Sequence, residues 1–522
     1  MQTTTAQYDA LASGHVRPLS WQLRMSWDKT FDPNVEFFTL SSDVTPMSLL
    51  DGVDVLGASD DNVIQEWDKY DYSDYTDRVI NVEVTKEESE PYSVTRAFAD
   101  ITLNNYDNYF TPFSESPIGE YILPRRPARI LLGFGGENLP QFVGLTDSIP
   151  KLDKNRGTAK IHMVDFLTYI FEQDISETIA LQNKNTSEIL DVLFQQMGLI
   201  PSQYSLGTST NIVEFFFVDK GTKFGDVVNK LVEAELASLY MNELGVITLS
   251  TFYERNDTPV MTFDSSNSIN YETSDEGKII NSVKITSNIL ALQDEQSVWT
   301  AAETYDLLVG ETIDVFVEFS DPVVSATDPA YSADQINESY FTSVIAGSET
   351  AYTDVSFISK QVYSKFAILE FENVGASNAT IKAIDLFGVP AKVDRKIIVE
   401  DSDAASITDF EEQTYSIDNQ FIQSQEKAVG RAAMIINQYK DYGSVLDLQV
   451  KGNTGLQLRD VVEVNLDSYN STYKIMKIVN TYDNSNFRQL LRVRIQAAIN
   501  FFIISSDDDA RSLLNGTDVL GL

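Results

Sequence analysis

From Val94 to Phe171 apolar and polar positions alternate in short runs separated by turn residues, the pattern of an antiparallel β-barrel. Ile101-Thr102-Leu103 runs into Asn104-Asn105-Tyr106-Asp107-Asn108, a strand entering a loop of residues that favour turns. Pro124 to Pro127 opens the next strand, because proline is accepted at a strand's start and not in its ladder. The apolar run Ala128 to Phe134 closes through Gly135-Gly136 and Glu137-Asn138 as a hairpin. Phe142-Val143-Gly144-Leu145 returns, and a last strand over Thr158 to Val164 follows the polar turn Asp153 to Gly157. Upstream, Ser20 to Met25, Val35 to Leu40 and Val79 to Val84 read as short strands. Glu66 to Tyr75 alternates aromatic with charged residues at period two and reads as a half-buried strand, the favoured reading, or as a surface of exposed tyrosines.

The period changes after Asn185. Asn185-Thr186-Ser187-Glu188 forms a capping box, and Ile189, Leu190, Leu193, Phe194 and Met197 follow at helical spacing until Gly198. A strand over Ile212 to Val218 precedes a second helix with Phe224, Val227, Val228, Leu231, Val232, Leu236 and Leu239 on one stripe. A hairpin of 238–241 and 246–252 turns at Asn242-Glu243-Leu244-Gly245. Helix, strand, helix and hairpin make a compact α+β module. From Trp299 to about Ile398, alternating segments at 313–319, 355–358, 367–371 and 380–387 are separated by glycine and asparagine turns, the signature of a β-sandwich. A third helix is expected over Asn419 to Lys440, followed by strands at 455–465, 473–479 and 490–498.

Length and charge narrow the reading. A chain of 522 residues is too long for one core and suggests roughly three or four domains. Lys and Arg total 38 against 78 Asp and Glu, a net charge of −40, which opposes phosphate binding because that requires cations to displace counterions. The charge serves either solubility or a conduit whose wall repels passing DNA. There is no cysteine, so disulfides and thiol chemistry are excluded, and no apolar run approaches the length of a membrane-spanning helix. The first residues lack the basic-then-apolar order of a signal peptide.

Candidate chemistry is sparse. Histidine occurs only at His15 and His162, and no Gly-x-Ser-x-Gly elbow accompanies them. Gly133-Phe134-Gly135-Gly136 lacks the Lys-Ser/Thr of a phosphate loop, and no calcium-loop spacing is present. No catalytic, metal-ligating or cofactor-binding residue is assigned. A glycosidase needs only two carboxylates, so a wall hydrolase stands as the least favoured reading, for zymography on host wall to decide. One repeat stands out: Ser48 to Gly57 recurs as Ser512 to Gly521 with eight of ten positions identical. It reads either as a shared hairpin with Asp-Gly and Asn-Gly turns or as a pair of partner-docking elements presenting Leu49, Leu50, Asp54, Leu513, Leu514 and Asp518.

Leu103-Asn104, Leu123-Pro124-Arg125-Arg126-Pro127, Phe142-Val143-Gly144-Leu145-Thr146-Asp147 and Asp165 follow one another in an order that resembles the first tube-like domain of phage tail hub (baseplate hub) proteins. Gly221, Asp226 and Gly245 resemble that family's small helical domain. Gly277 to Ile285 looks like its strand returning to the barrel layer, and Gly455 to Val462 with Tyr473-Lys474-Ile475 resembles its second tube-like barrel. The resemblance implies a mainly β chain with α+β parts: two tube-like antiparallel β-barrels, a small α+β module and an inserted β-sandwich. The expected domains are residues 1–175, an N-terminal segment and first barrel; 176–275, the α+β module; 276–298 with 400–500, the second barrel and long helix; 299–399, the sandwich; and 501–522, an acidic tail carrying the repeat.

The function so implied is a non-enzymatic structural hub at the virion tail tip, made in the host cytoplasm. A homotrimeric ring would join a six-fold tail tube to a three-fold tip and line the DNA passage without binding DNA specifically. Its implied partners are the distal tail protein, the tail tube protein, the tape-measure protein and a receptor-binding or central fibre protein. The alternative is a host cell-wall glycan-binding sandwich over 299–399, with Tyr305, Tyr331, Tyr340, Tyr352 and Tyr363 as glycan-contact candidates.

Overall fold

Alternation at period two decides where the first core sits. Val82 and Val84, Ala97 to Leu103 at every second position, and Ala159, Ile161 and Met163 are buried on three neighbouring strands, Val79–Glu87, Arg96–Asn104 and Thr158–Val164. The computed structural model, which describes residues 1–14, 17–28, 70–88, 94–251, 258–273, 278–332, 339–441, 445–467, 469–483 and 486–495, continues this sheet antiparallel through Glu137–Thr146, Pro127–Phe134 and Leu19–Met25. Its inner face packs around Leu23, Trp27, Phe110, Ile130 and Phe142. Gly144 sits where a Cβ would lie 2.4 Å from the carbonyl oxygen of Val164, so only glycine lets the two strands approach.

A second half comprises Met261–Phe263, Ser268–Thr273, Val445–Val450, Val461–Leu466, Tyr469–Asp483 and Asn486–Ile495 around Phe263, Leu448, Val464, Tyr473, Ile475 and Leu491. Both halves belong to one 14-stranded sheet. The 15-residue strand Tyr469–Asp483 joins them along a single edge. Its first part pairs with Val461–Leu466 of its own half, from Leu466↔Tyr469 to Val461↔Lys474, and its last part pairs with Val79–Glu87 of the other, from Lys477↔Glu87 to Asp483↔Asn81. Among the described residues neither half closes into a ring of paired strands. Val79–Glu87 has one edge taken by Arg96–Asn104 and the other by the bridging strand, so none is left for closure.

The α+β core gathers the helices Thr186–Gln196, Phe224–Glu235 and Gln425–Tyr439. Asn185 and Glu188 form the expected capping box, with Asn185 Oδ1 accepting from the Glu188 amide at 2.9 Å. The second helix ends at Leu236, which adopts φ +53, so Leu239 lies in the strand Ser238–Met241 rather than on the helical stripe. Two expectations are corrected here. The strand expected to return to the second barrel, Ser282–Leu292, pairs instead with the second part of Ala379–Ser402 and with Thr414–Asp418. Its buried residues Val283, Ile285 and Ile289 are drawn into the α+β core, and the second half takes Met261–Phe263 and Ser268–Thr273 in its place. The long helix likewise packs Ala428, Ala432 and Ile435 into that core and lies on Ser282–Leu292 and Ala379–Ser402.

The insertion grows out of the paired strands Ser282–Leu292 and Ala379–Ser402, beyond the part of the first that also pairs with Thr414–Asp418. The 24-residue strand Ala379–Ser402 carries the chain between the α+β layer and a sandwich. One sheet of the sandwich forms on its first part, with Gln296–Thr300, Tyr305–Leu307, Val323–Ala326 and Tyr340–Ile345. The other is Thr312–Glu318, Phe366–Asn373 and Val355–Val362, facing it across Val315, Leu369, Phe371, Ile381 and Ile384. The molecule is thus mainly β with α+β parts, built on several mostly antiparallel sheets.

Candidate functional site: the seam between the two curved halves

On Val79–Glu87 the inward positions run Val82, Val84 and then Lys86, where the apolar core gives way to charge. Lys86 Nζ lies 2.5 Å from Glu243 Oε1, and both side chains are buried. Glu243 is carried by the turn of the α+β hairpin, and its other oxygen accepts from Gln457 Nε2 of the second half at 2.7 Å. Three parts of the chain therefore meet on one carboxylate. Burial opposes ionisation of Glu243, but the Lys86 ammonium outweighs it and holds the carboxyl below its usual range. Beside this pair, Lys86, Asp165, Tyr240 and Glu243 line a void of 10 Å³, at the lower limit for one water.

A second cluster stands at Glu88, immediately after the strand. Burial alone would raise its carboxyl. The charges of Lys474, 2.7 Å away, and Arg459, 3.9 Å away, together with a hydrogen bond donated by the Ser238 hydroxyl, lower it instead to about 2. Arg459 holds φ +72, a left-handed conformation unusual for a side-chain-bearing residue, and its guanidinium also donates to the Ser250 carbonyl. Asp165, the residue that ends the last first-half strand, accepts from the Ala97 and Thr168 amides and caps the helix Phe166–Ile170, although burial pushes its carboxyl up.

Behind the bridging strand runs a ladder of buried amides. Asn480 Nδ2 donates to Gln141 Oε1 at 2.9 Å, Gln489 Nε2 donates to Asn480 Oδ1 at 2.9 Å, and the Asn453 amide donates to Gln489 Oε1 at 2.9 Å. Gln141 belongs to the first half; Asn480, Gln489 and Asn453 belong to the second. A one-residue slip of the seam would leave these groups unsatisfied, so the ladder fixes register. The helix Ala6–Ser13 reinforces the join: Tyr8 packs on Phe134 of the first half and its hydroxyl meets Thr454 and Asn453 of the second. Arg17 lies over Phe134 and donates to the Lys451 and Gly452 carbonyls.

On the opposite face of the sheet, one row crosses the seam as Asp447, Arg492, Lys477, Glu87 and Arg96. Arg492 binds Asp447 through two nitrogens at 2.8 and 3.0 Å, and Lys477 pairs with Glu87 at 2.9 Å. Despite the net charge of −40, this row carries three cations against two carboxylates.

The residues singled out from sequence fall elsewhere. Leu49, Leu50, Asp54, Leu513, Leu514 and Asp518 lie outside the described residues, as does His15. His162 faces Asp100 across the sheet at 2.9 Å. Tyr352 is buried and accepts from the Ser377 amide; Tyr305 and Tyr331 pack against the sandwich core, and Tyr340 is half-buried on its strand. Tyr363 reaches the surface. Asp165, Glu243, Gln457, Arg459 and Lys474 fall within the stretches that carry the turn and family patterns, whereas Lys86, Glu88, Gln141, Asn480 and Gln489 escape sequence reading. Their signal was a polar residue at an inward position of an alternating strand, as at Lys86, Gln141, Asn480 and Gln489.

No family model matches the chain, and no curated protein matches it. Solved structures do. The chain is similar to phage tail proteins of known structure. The 43 kDa tail protein of prophage MuSo2 from Shewanella oneidensis aligns over 82% of this chain and 96% of its own, at 12% identity and a TM-score of 0.44. A tail protein from Neisseria meningitidis MC58 aligns over 81% and 93%, at 9% identity and 0.44. Prophage tail protein gp18 from Listeria monocytogenes aligns over 83% and 93%, at 8% identity and 0.39.

Proposed function

We propose that the chain is a structural hub of a phage tail tip, with no catalytic role, in which three copies form a ring. The observation that carries this reading is the bridging strand Tyr469–Asp483, which sets two halves side by side in one sheet. Three such chains present six halves, the number needed to meet a six-fold tube while offering three-fold symmetry to the tip. The sheet ends also support a ring. Among the described residues, Ser268–Thr273 pairs on one side only, with Val445–Val450. At the other end, Leu19–Met25 has beyond Pro127–Phe134 only the two-residue strand Ser73–Asp74. Two unlike open ends suit head-to-tail contacts that close by rotation.

In this reading the ring docks on the distal tail and tail tube proteins, contacts the tape-measure protein within and a receptor-binding or central fibre protein below, and lets DNA pass without specific binding. The protein then resides in the virion at the tail tip. Native mass spectrometry tests it: the expected species has three times the 58.5 kDa chain mass, seen as a ring by electron microscopy and labelled at the tail tip. A monomer with no ring and no tip labelling would overturn the reading.

A further inference from the structure

The sandwich does not stand free of the α+β module. At the base of a cleft between them, the Ser364 hydroxyl donates to Asp219, and the Thr178 hydroxyl lies 3.5 Å from Ser364 and accepts from the Lys220 amide. Above this anchor the cleft measures 520 Å³. That lies within the range of about 300–1,000 Å³ typical of small-molecule sites, which favour domain boundaries.

The lining has two characters. Phe217 on the module side and Tyr363 with Val324 on the sandwich side supply apolar surface. The Tyr363 ring is stacked on Phe366, centroids 4.4 Å apart at 23°, and Phe366 in turn stacks on Phe316 at 5.4 Å. A ring backed in this way is held in place before any ligand arrives, so little side-chain freedom remains to be lost on binding. Ser176, Glu177 and Lys220 add a hydroxyl, a carboxylate and an ammonium to the same cleft. Glu177 and Lys220 offset one another in the lining, Asp219 adds a carboxylate at its base, and the molecule as a whole is strongly acidic. An anionic ligand would find no attraction here.

We infer that this cleft binds a neutral saccharide of one or two rings. Such a ligand has apolar C–H faces for Tyr363 and Phe217 and an edge of hydroxyls for Glu177 and Lys220. The inference deepens the glycan reading of the insertion and is independent of the ring, so its failure would leave the hub proposal standing. It also moves the saccharide contacts. Of the five tyrosines named from sequence, Tyr363 alone lines this cleft, and Phe217, Glu177 and Lys220 come from the neighbouring module.

The test is calorimetric titration of the full chain with neutral mono- and disaccharides of glucose, galactose and N-acetylglucosamine, with polyglycerol phosphate as the acidic comparison. Saturable binding of at least one neutral sugar is expected, weakened about tenfold or more by Tyr363→Ala and likewise by Lys220→Ala, with melting temperature unchanged in the second variant. Lys220→Ala keeps the test decisive if Tyr363→Ala disturbs the sandwich. No saturable binding by any neutral sugar, binding that neither variant changes, or binding of polyglycerol phosphate alone would each overturn the inference.

Discussion

At the scale of single residues, the seam is held by ionised groups taken out of water. Removing one member of such a pair leaves a buried charge unmatched, at a cost of about 3–5 kcal/mol. Glu88 gives the clearest expectation. Its carboxyl falls from an ordinary 4.5 to about 2 in the folded chain. A depressed carboxyl contributes stability that is fully present above pH 4.5 and is lost as pH falls towards 2. The separation corresponds to about 3 kcal/mol. Urea unfolding followed between pH 7 and 2 should show this loss, and Glu88→Gln should be less stable at pH 7 and flatter across that window. Equal pH slopes in the two proteins would contradict the role assigned to Lys474 and Arg459.

Among elements, local chemistry was legible and partnership was not. Asn185 and Glu188 announced their helix because a capping box is written within four residues. The strands from Arg96–Asn104 to Thr158–Val164 were visible because each alternates within its own length. By contrast, Asn419, Phe421 and Ile422 mimic helical spacing, yet the helix begins at Gln425, capped by Ser424. Ahead of it Phe421 and Ile422 are buried and Asn419 Nδ2 donates to the Lys230 carbonyl and to Glu233 Oε2, so tertiary contacts prevailed over periodicity. Ser282–Leu292 reads correctly as a strand, but period two says nothing of which sheet will receive it. The seam is the extreme case, joining residues some four hundred positions apart. Thr481→Pro tests it directly. Proline removes a ladder amide opposite Glu83 and Arg488, at a cost of about 1–3 kcal/mol for the group left unpaired. Hydrogen exchange should accelerate at 79–85 and 477–483 while Val445–Val450 stays protected. Unchanged protection at 79–85 would mean that the two halves are not joined there.

For the whole molecule, the insertion leaves the α+β layer along paired strands and touches it again where Ser364 meets Asp219. Leu292 stands opposite Ala391, and the Gln293 amide donates to the Pro390 carbonyl, so the two strands are already paired where the sandwich departs. Replacing 293–390 with Asn-Gly should close it as a two-residue hairpin. The shortened chain is expected to keep its strand content by circular dichroism, and the mass of its assembly should remain three chains if the ring reading holds. A chain that fails to fold would show instead that the sandwich core is needed by the rest. The architecture at this scale was legible as a class, mainly β with an α+β module and an inserted sandwich. The joining of the halves into one sheet was not, because strand pairing across a whole chain leaves no local trace.

The bridging strand also imposes an order on synthesis. A ribosome adding about 5–20 residues each second takes roughly 20–80 s to travel from Val79–Glu87 to the strand that will pair with it. From the moment Thr158–Val164 is made until then, the first half is translated but its Val79–Glu87 edge lacks the strand that covers it, a template on which another nascent chain could pair. The bridging strand is therefore a late-translated cover for an early-translated edge, and a product truncated before Tyr469 would leave that edge open.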